Sequence, residues 1–166
     1  MAKIGWNPIL YTSYLYEIHD PKKLKKTLAW VVRTLKKIQA KTPFDSIVVT
    51  GTSGVSLGYA AAAELGCYVT NIRKADRSHG SSCKIEGLTN PRTYVFLDDF
   101  LCGGATYRRV CRIIKDVNGK KILPIAIVLW KHVGCVNLDE DIPVYLRWPK
   151  TGPGWPYYML DPKNRR

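Results

Sequence analysis

Two adjacent carboxylates and a glycine pair stand close together in the stretch VFLDDFLCGGAT, residues 95–106. The apolar residues that open it predict a buried strand, which ends on Asp98 and Asp99. The small residues around Gly103-Gly104 allow backbone N–H groups to approach a ligand, and the helix predicted next directs its positive end to the same place. This pattern favours a phosphate bound at the helix start.

The two acids need a different partner, because a carboxylate repels a phosphate. Sugar hydroxyls donate hydrogen bonds to carboxylates, and a bound cation takes carboxylate oxygens as ligands. A phosphorylated ribose carries hydroxyls and phosphate on one molecule and would satisfy both halves of the pattern. Paired acids at the end of a strand also cap turns, so the pattern alone leaves that structural role open.

Strands and helices alternate along the chain. The predicted elements are a helix over 21–40 capped by Asp20-Pro21, a strand over 44–50, a small-residue helix stopped by Gly66, strands over 67–72 and 93–97, a helix over 105–116 and a strand over 122–130. Near-continuous apolar strands that alternate with helices predict an α/β fold: a mostly parallel central sheet with helices on both faces. Such sheets bind ligands beyond the carboxyl ends of their strands, where the segments 51–54, 73–87 and 98–106 fall.

Length and charge narrow the class of protein. The 166 residues, 46% of them hydrophobic, predict one domain with its core at about 21–131 and with the termini forming a small hood or cover. The formal charge of +13 favours phosphate-bearing partners. The longest apolar run, 122–130, is far below the ~20 residues that span a bilayer, so we expect no membrane segment.

The five cysteines are an odd number without a Cys-x-x-Cys pair or a histidine at zinc-ligand spacing. A disulfide scaffold and a zinc site are therefore both disfavoured. The N-terminal residues lack the long apolar centre of a signal peptide. Together these features predict a cytoplasmic protein.

The outer face of the predicted helix 21–40 is rich in lysine. These lysines are Lys22, Lys23, Lys25, Lys26, Lys36 and Lys37. A run of charge on a helix is most often a solvated face, and no stacked aromatic residues interleave with these lysines. Nucleic-acid binding is therefore the minority interpretation.

The stretch 95–106 resembles the fingerprint that binds 5-phosphoribosyl 1-pyrophosphate (PRPP) in type I phosphoribosyltransferases. The resemblance implies that Asp98 and Asp99 are catalytic and hold the ribose hydroxyls. It implies that the 5′-phosphate is bound by Cys102, Gly103, Gly104, Ala105 and Thr106. Three of these positions, Cys102, Gly103 and Ala105, often carry Thr, Ala or Gly in the family, which leaves a backbone cradle but fewer side-chain contacts.

Two further segments resemble the same family, in the family's order. GTSGVSLGYAAAAELG (51–66) is similar to its pyrophosphate loop and small-residue helix, which assigns pyrophosphate contacts to Thr52, Ser53 and Gly54. RKADRSHG (73–80) is similar to the mobile catalytic loop of orotate phosphoribosyltransferases. The resemblance implies catalytic roles for Lys74 and His79 and pyrophosphate binding by Arg73 and Arg77, where Arg77 replaces a lysine.

The resemblance implies transfer of phosphoribose from PRPP to a nucleobase, orotate or a purine-type base. It implies Mg²⁺ carried by PRPP near Asp98 and Asp99 without dedicated protein ligands, and a homodimer. Trp130 and Lys131, which follow the last long strand, are the candidates for contact with the base. One alternative is a non-catalytic, PRPP-sensing regulator of the same fold that binds nucleic acid. Another is a phosphate-binding α/β domain of other chemistry, such as amide or phosphoryl transfer.

Overall fold

The computed structural model describes residues 15–73, 84–133, 138 and 141–147. Strands and helices alternate within these ranges. The elements are α1 (Tyr16–His19), α2 (Pro21–Lys41), β1 (Ser46–Thr50), α3 (Gly51–Leu65), β2 (Tyr68–Ile72), β3 (Ile85–Gly87), β4 (Tyr94–Leu101), α4 (Ala105–Asn118), β5 (Ala126–Val133) and β6 (Val144–Leu146).

Six strands form one sheet in the order β3-β2-β1-β4-β5-β6. All neighbouring strands run parallel except β2 and β3, which are antiparallel. Strand β1 is central, with Val48 in register with Thr70 of β2 and with Phe96 of β4. The predicted mostly parallel α/β sheet is confirmed.

Helix α2 begins where the sequence predicts. The side chain of Asp20 accepts hydrogen bonds from the backbone N–H groups of Lys22 and Lys23, and Pro21 occupies the first helical turn. The apolar spacing of the helix then buries Val31 and, one turn later, Leu35. This face packs on α3 and β5.

Helices cover both faces of the sheet because alternate strand residues point to opposite sides. In β1, Val49 joins the core beneath α2 and α3, while Val48 joins the core beneath α4. In β4, Leu97 joins the core beneath α2 and α3, and Phe96 joins the core beneath α4. The predicted coverage of both faces is confirmed.

Strand β4 is longer than predicted. It runs on to Leu101, so Asp98 and Asp99 lie inside the strand and do not follow it. The pairing of β4 with β5 shifts register between Asp98 and Phe100 and then continues. The predicted strand end was wrong because the backbone ladder continues as long as β5 lies alongside, whatever charge the side chains carry.

Other predicted boundaries also need correction. The segment 51–54 is the first turn of α3 and not a loop, entered through Gly51 at φ 64°. The segment 73–87 ends in the short strand β3, and the strand predicted over 122–130 begins only at Ala126 and continues to Val133. Strand β6 was not predicted, because three half-buried residues carry no readable period.

The hood predicted for the termini falls largely on residues outside the described ranges, and the domain limits stay a prediction. In the part of the chain that the structure describes, no helix is both long and apolar enough to cross a membrane.

Candidate functional site

A pocket of about 190 Å³ lies at the carboxyl end of β4, against the first turns of α3 and α4. Its lining residues are Ser53, Asp98, Asp99, Phe100, Leu101, Cys102, Gly104 and Thr106. The structure thus brings together both predicted acids and part of the predicted phosphate segment. The sheet positions them, since β1 and β4 are neighbours and each is followed by one of these helices.

The start of α4 forms the small-residue wall of this pocket. Gly103 and Gly104 have φ values of 65° and 71°, a conformation that side chains disfavour, and Gly104 caps the helix without a side-chain hydrogen bond. The guanidinium of Arg108 donates to the carbonyl of Gly103 across 2.5 Å and braces the turn. Thr106 is half-buried at the pocket, whereas Ala105 is exposed and does not line it.

The two acids are buried together at the carboxyl end of β4. Asp98 is 6% exposed and Asp99 4% exposed. Oδ1 of Asp98 accepts a hydrogen bond from the Ser53 hydroxyl at 3.0 Å and another from the Asp99 backbone N–H at 2.9 Å. Oδ2 of Asp99 accepts no hydrogen bond from any described residue. A buried carboxylate oxygen without a protein donor calls for one from a ligand or water.

Burial changes the acidity of this pair. Burial, together with the charge of the neighbouring Asp99, raises the pKa of Asp98 to about 7, while the hydrogen bonds from the Asp99 N–H and the Ser53 hydroxyl act in the opposite direction. The folded protein therefore holds a proton on Asp98 more tightly than an exposed aspartate would.

Lys131, in β5, is a half-buried cation whose charge interacts with that of Asp99. Burial lowers its pKa, while the charges of Asp99 and Glu17 oppose that change. Its ammonium lies 5.5 Å from the centroid of the Trp130 ring. Glu17 in turn accepts hydrogen bonds from Thr27 and Arg147. Sequence reasoning missed Glu17, because nothing local connects it to β5.

Several predicted residues do not line the pocket, among them Trp130, Thr52 and Gly54. Trp130 is fully buried in the core beneath α2 and α3, and its indole N–H has no acceptor among the described residues. Thr52 is exposed and does not line the pocket. Gly54 is buried, and a Cβ there would lie 2.9 Å from the carbonyl oxygen of Leu97. Close packing of α3 on β4 is sufficient reason for this glycine.

Arg73 follows β2 at the same edge of the sheet. Its guanidinium pairs with Glu86 at 3.6 Å, and its carbonyl accepts a hydrogen bond from Arg109 of α4. Sequence reasoning also missed Arg109, whose neighbourhood carries no signal beyond its charge. Three predicted residues of the following loop, Lys74, Arg77 and His79, lie outside the described residues.

The donor set of the pocket suits a hard cation delivered by a substrate. Across the described ranges, no three His, Cys, Asp or Glu side chains are grouped as a metal site would require. The pocket offers the oxygens of Asp98 and Asp99, and Oδ2 of Asp99 has no protein donor. Carboxylate oxygens are ligands that Mg²⁺ accepts alongside substrate phosphate and water, so the residues present fit Mg²⁺ bound mainly by substrate.

Sequence comparison finds one curated relative of note and no matching family model. The relative is the orotate phosphoribosyltransferase of Pyrobaculum islandicum, which is 28% identical over 109 residues. The match covers 65% of this chain and 55% of the relative. The chain therefore spans little more than half the length of this relative.

Solved structures share the fold at low sequence identity. Adenine phosphoribosyltransferase from Saccharomyces cerevisiae, solved with adenine and an iminoaltritol bisphosphate, matches with a TM-score of 0.62 and 16% identity over 89% of this chain and 92% of its own. Adenine phosphoribosyltransferase from Thermoanaerobacter pseudethanolicus matches with a TM-score of 0.57 and 15% identity. This match covers 78% of this chain and 82% of the other. Orotate phosphoribosyltransferase from Aeropyrum pernix matches with a TM-score of 0.53 and 14% identity. This match covers 70% of this chain and 63% of the other. The resemblance read from the motifs is thereby confirmed, and the chain has the fold of the type I phosphoribosyltransferases.

Proposed function

We propose that the protein is an enzyme that transfers 5-phosphoribose from PRPP to a nucleobase, orotate or a purine-type base, and releases pyrophosphate. The observation that carries this proposal is a single pocket lined both by Asp98 and Asp99 and by Gly104 and Thr106 at the start of α4. A ribose 5-phosphate needs both surfaces, since its hydroxyls seek carboxylates and its phosphate seeks backbone N–H groups.

The first turn of α4 would bind the 5′-phosphate. Its unpaired backbone N–H groups and the positive end of the helix dipole favour an anion there. The positive φ values of Gly103 and Gly104 keep the turn free of side chains, and the Thr106 hydroxyl adds a donor. The exposed Cys102 would contribute its backbone.

The acid pair would hold the ribose hydroxyls. Oδ2 of Asp99 has no donor among the described residues and would accept one hydroxyl, while Asp98, held by Ser53, would engage the other. Positive charge develops on the ribose ring as the bond to pyrophosphate breaks. Preorganised carboxylates in a poorly hydrated site stabilise that charge.

Pyrophosphate would leave toward the start of α3 and the loop after β2. The Ser53 hydroxyl is already bonded to Asp98, so Thr52, Ser53 and Gly54 would offer backbone N–H groups. Arg73, with Lys74, Arg77 and His79 on the loop, would neutralise the departing charge. Mg²⁺ bound to PRPP would supply further charge neutralisation.

Of the two residues predicted to contact the base, we assign this contact to Lys131 and not to Trp130, because the Trp130 ring is fully buried. A homodimer and a cytoplasmic location belong to the same proposal.

A base panel tests the proposal. The protein is incubated with PRPP, Mg²⁺ and one base at a time, and pyrophosphate release is measured. We expect turnover with one base, and a loss of roughly 100-fold or more in the Asp98→Asn/Asp99→Asn double variant. The matched control is Glu64→Gln/Asp116→Asn, two exposed acids outside the pocket. Light scattering of the same samples tests the dimer.

Two results would count against it. PRPP binding without turnover on any base contradicts the enzyme and favours the regulatory alternative. Full activity in the Asp98→Asn/Asp99→Asn variant removes the ribose role of the acids even if transfer occurs.

A further inference from the structure

Helix α2 carries basic residues and no acidic ones. Its cations are Lys22, Lys23, Lys25, Lys26, Arg33, Lys36, Lys37 and Lys41. Its opposite face is buried in the core beneath α2 and α3 through Val31, Leu35 and Ile38. The proposed phosphoribosyl transfer makes no use of this charge, since none of these residues lines the pocket of the candidate site.

Six of the cations form one surface, here called the basic stripe: Lys22, Lys25, Lys26, Arg33, Lys36 and Lys37. At about 100° per residue they fall within a sector of about 120°, and at 1.5 Å per residue they extend about 22 Å along the helix. All six are exposed. Five of them, Lys25, Lys26, Arg33, Lys36 and Lys37, make no ion pair with any described residue.

The basic stripe opposes the stability of the helix that bears it. Like charges three or four residues apart, as in Lys22 and Lys26 or Arg33 and Lys37, destabilise a helix. Cations in the first turn also face the positive end of the helix dipole. Folding therefore does not require this arrangement, and a negatively charged partner would relieve the repulsion.

The chemistry of the basic stripe selects among negatively charged partners. The large exposed apolar residues of the described chain are Tyr59, Tyr68 and Val117, none of them in α2, so the stripe has no anchor for lipid. The aromatic residue of α2, Trp30, is half-buried and packs against the core, so α2 presents no fully exposed ring on which unpaired bases could stack. A broad face of point charges on a rigid helix suits the regular phosphates of a duplex.

We propose that the basic stripe of α2 binds the phosphate backbone of duplex DNA without sequence selectivity. Lysine ammonium groups pair with phosphates as point charges and give little base discrimination. The stripe belongs to residues separate from the pocket, so this binding does not depend on phosphoribosyl transfer.

A charge-matched pair of variants tests the proposal. The stripe variant carries Lys25→Gln, Lys26→Gln, Arg33→Gln and Lys37→Gln. The control variant carries Arg92→Gln, Arg112→Gln, Lys115→Gln and Lys120→Gln, four exposed cations outside α2. Both lose the same net charge. Binding to a fluorescent ~20-bp DNA duplex is measured by anisotropy from about 50 to 200 mM KCl.

The stripe variant should lose roughly tenfold or more in affinity for DNA. The slope of log K against log salt concentration should become less negative by about three. The control variant should stay within about threefold of the wild type. A charge-preserving variant, Lys25→Arg/Lys26→Arg/Lys37→Arg, should bind like the wild type, which would assign the loss to charge, and thermal unfolding of the stripe variant near the wild-type temperature excludes misfolding as the cause.

Three results would overturn the proposal. They are equal losses in the stripe and control variants, tighter binding to single-stranded RNA of the same length, and loss in the stripe variant of binding to phosphatidylserine vesicles but not to DNA. Pyrophosphate release from PRPP is measured on the same variants. Failure of DNA binding is thereby distinguished from failure of the proposed transfer.

Discussion

The hydroxyl of Ser53, in the first turn of α3, donates a hydrogen bond of 3.0 Å to Oδ1 of Asp98 in β4. The two residues are 45 positions apart in the chain. The bond ties the helix after β1 to the acid pair of the neighbouring strand. It helps to fix the orientation of the Asp98 carboxyl, beside which Oδ2 of Asp99 has no donor among the described residues.

Replacing Ser53 by Ala should lower the free energy of unfolding by about 1 kcal/mol, because Oδ1 of Asp98 loses one of its two hydrogen-bond donors and keeps the Asp99 backbone N–H. The change should also raise the pKa of Asp98, since the Ser53 hydrogen bond lowers it. Urea unfolding at about pH 8 measures the effect. Ser56→Ala is the control, because Ser56 is exposed and its hydroxyl donates to the Thr52 carbonyl one turn earlier in the same helix. Equal losses in both variants would show that the bond to Asp98 has no special weight.

The stability of the protein should depend on pH through Asp98. Burial raises its pKa from 3.8 to about 7, so the folded state binds this proton more tightly than the unfolded chain does. The contribution is complete below about pH 4, falls as the pH rises to about 7 and is constant above that value. Asp98→Asn, which keeps an oxygen acceptor for Ser53, should remove the decline and be more stable at about pH 8 by on the order of 2–4 kcal/mol.

Urea unfolding between about pH 4 and 8 compares the Asp98→Asn variant with the wild type. The exposed Asp116→Asn change serves as the control and should leave the wild-type profile intact. A profile of Asp98→Asn that still declines through this range would assign the titration to another group.

Gly54→Ala should destabilise the protein by about 1–3 kcal/mol, since the new Cβ would press on the Leu97 carbonyl at 2.9 Å and on Val49 at 3.4 Å. Relief would move the start of α3 away from β4, so transfer activity should fall as well. Thermal unfolding and pyrophosphate release measure the two effects. Thr52→Ala, at an exposed position of the same turn, should be close to neutral in stability. An unchanged Gly54→Ala variant would mean that α3 can shift without cost.

Trp130→Phe should change the free energy of unfolding by less than about 1 kcal/mol. The smaller ring loses packing, but the variant no longer buries an indole N–H without an acceptor, and these effects oppose each other. Phe96→Leu is the comparison at another fully buried position, where a loss of about 1–2 kcal/mol has no such offset. We expect KM for the base to be unchanged in Trp130→Phe. A large rise in KM would restore the base contact predicted for this ring.

Glu17→Gln should lower the free energy of unfolding by about 1–2 kcal/mol, because Glu17 accepts hydrogen bonds from Arg147 and Thr27 at a largely buried position. The more exposed pair of Glu86 with Arg73 gives the matched comparison. Glu86→Gln should cost less than about 0.5 kcal/mol. Chemical denaturation of both variants measures the difference, and similar costs would show that the Glu17 contacts are no stronger than a surface pair.

Local pattern was enough for most elements. The capping pair Asp20-Pro21 and the apolar spacing of α2 identify that helix within one residue of its ends, and the apolar run of β1 identifies a central strand. The acid pair and the following glycines pointed to the pocket wall formed by β4 and α4. These signals succeed because helix periodicity, capping and turn chemistry act between residues a few positions apart.

The sequence by itself determined which residue types carry the chemistry and the alternation that yields a parallel sheet. Only the tertiary structure decided that Asp98 and Asp99 lie within β4 and that the Ser53 hydroxyl donates to Asp98. It also decided that Trp130 belongs to the core and that the charge of Glu17 acts on Lys131. These relationships depend on which strands are neighbours and on how deeply each group is buried. Both are set by contacts between distant parts of the chain, and no local pattern of residues encodes them.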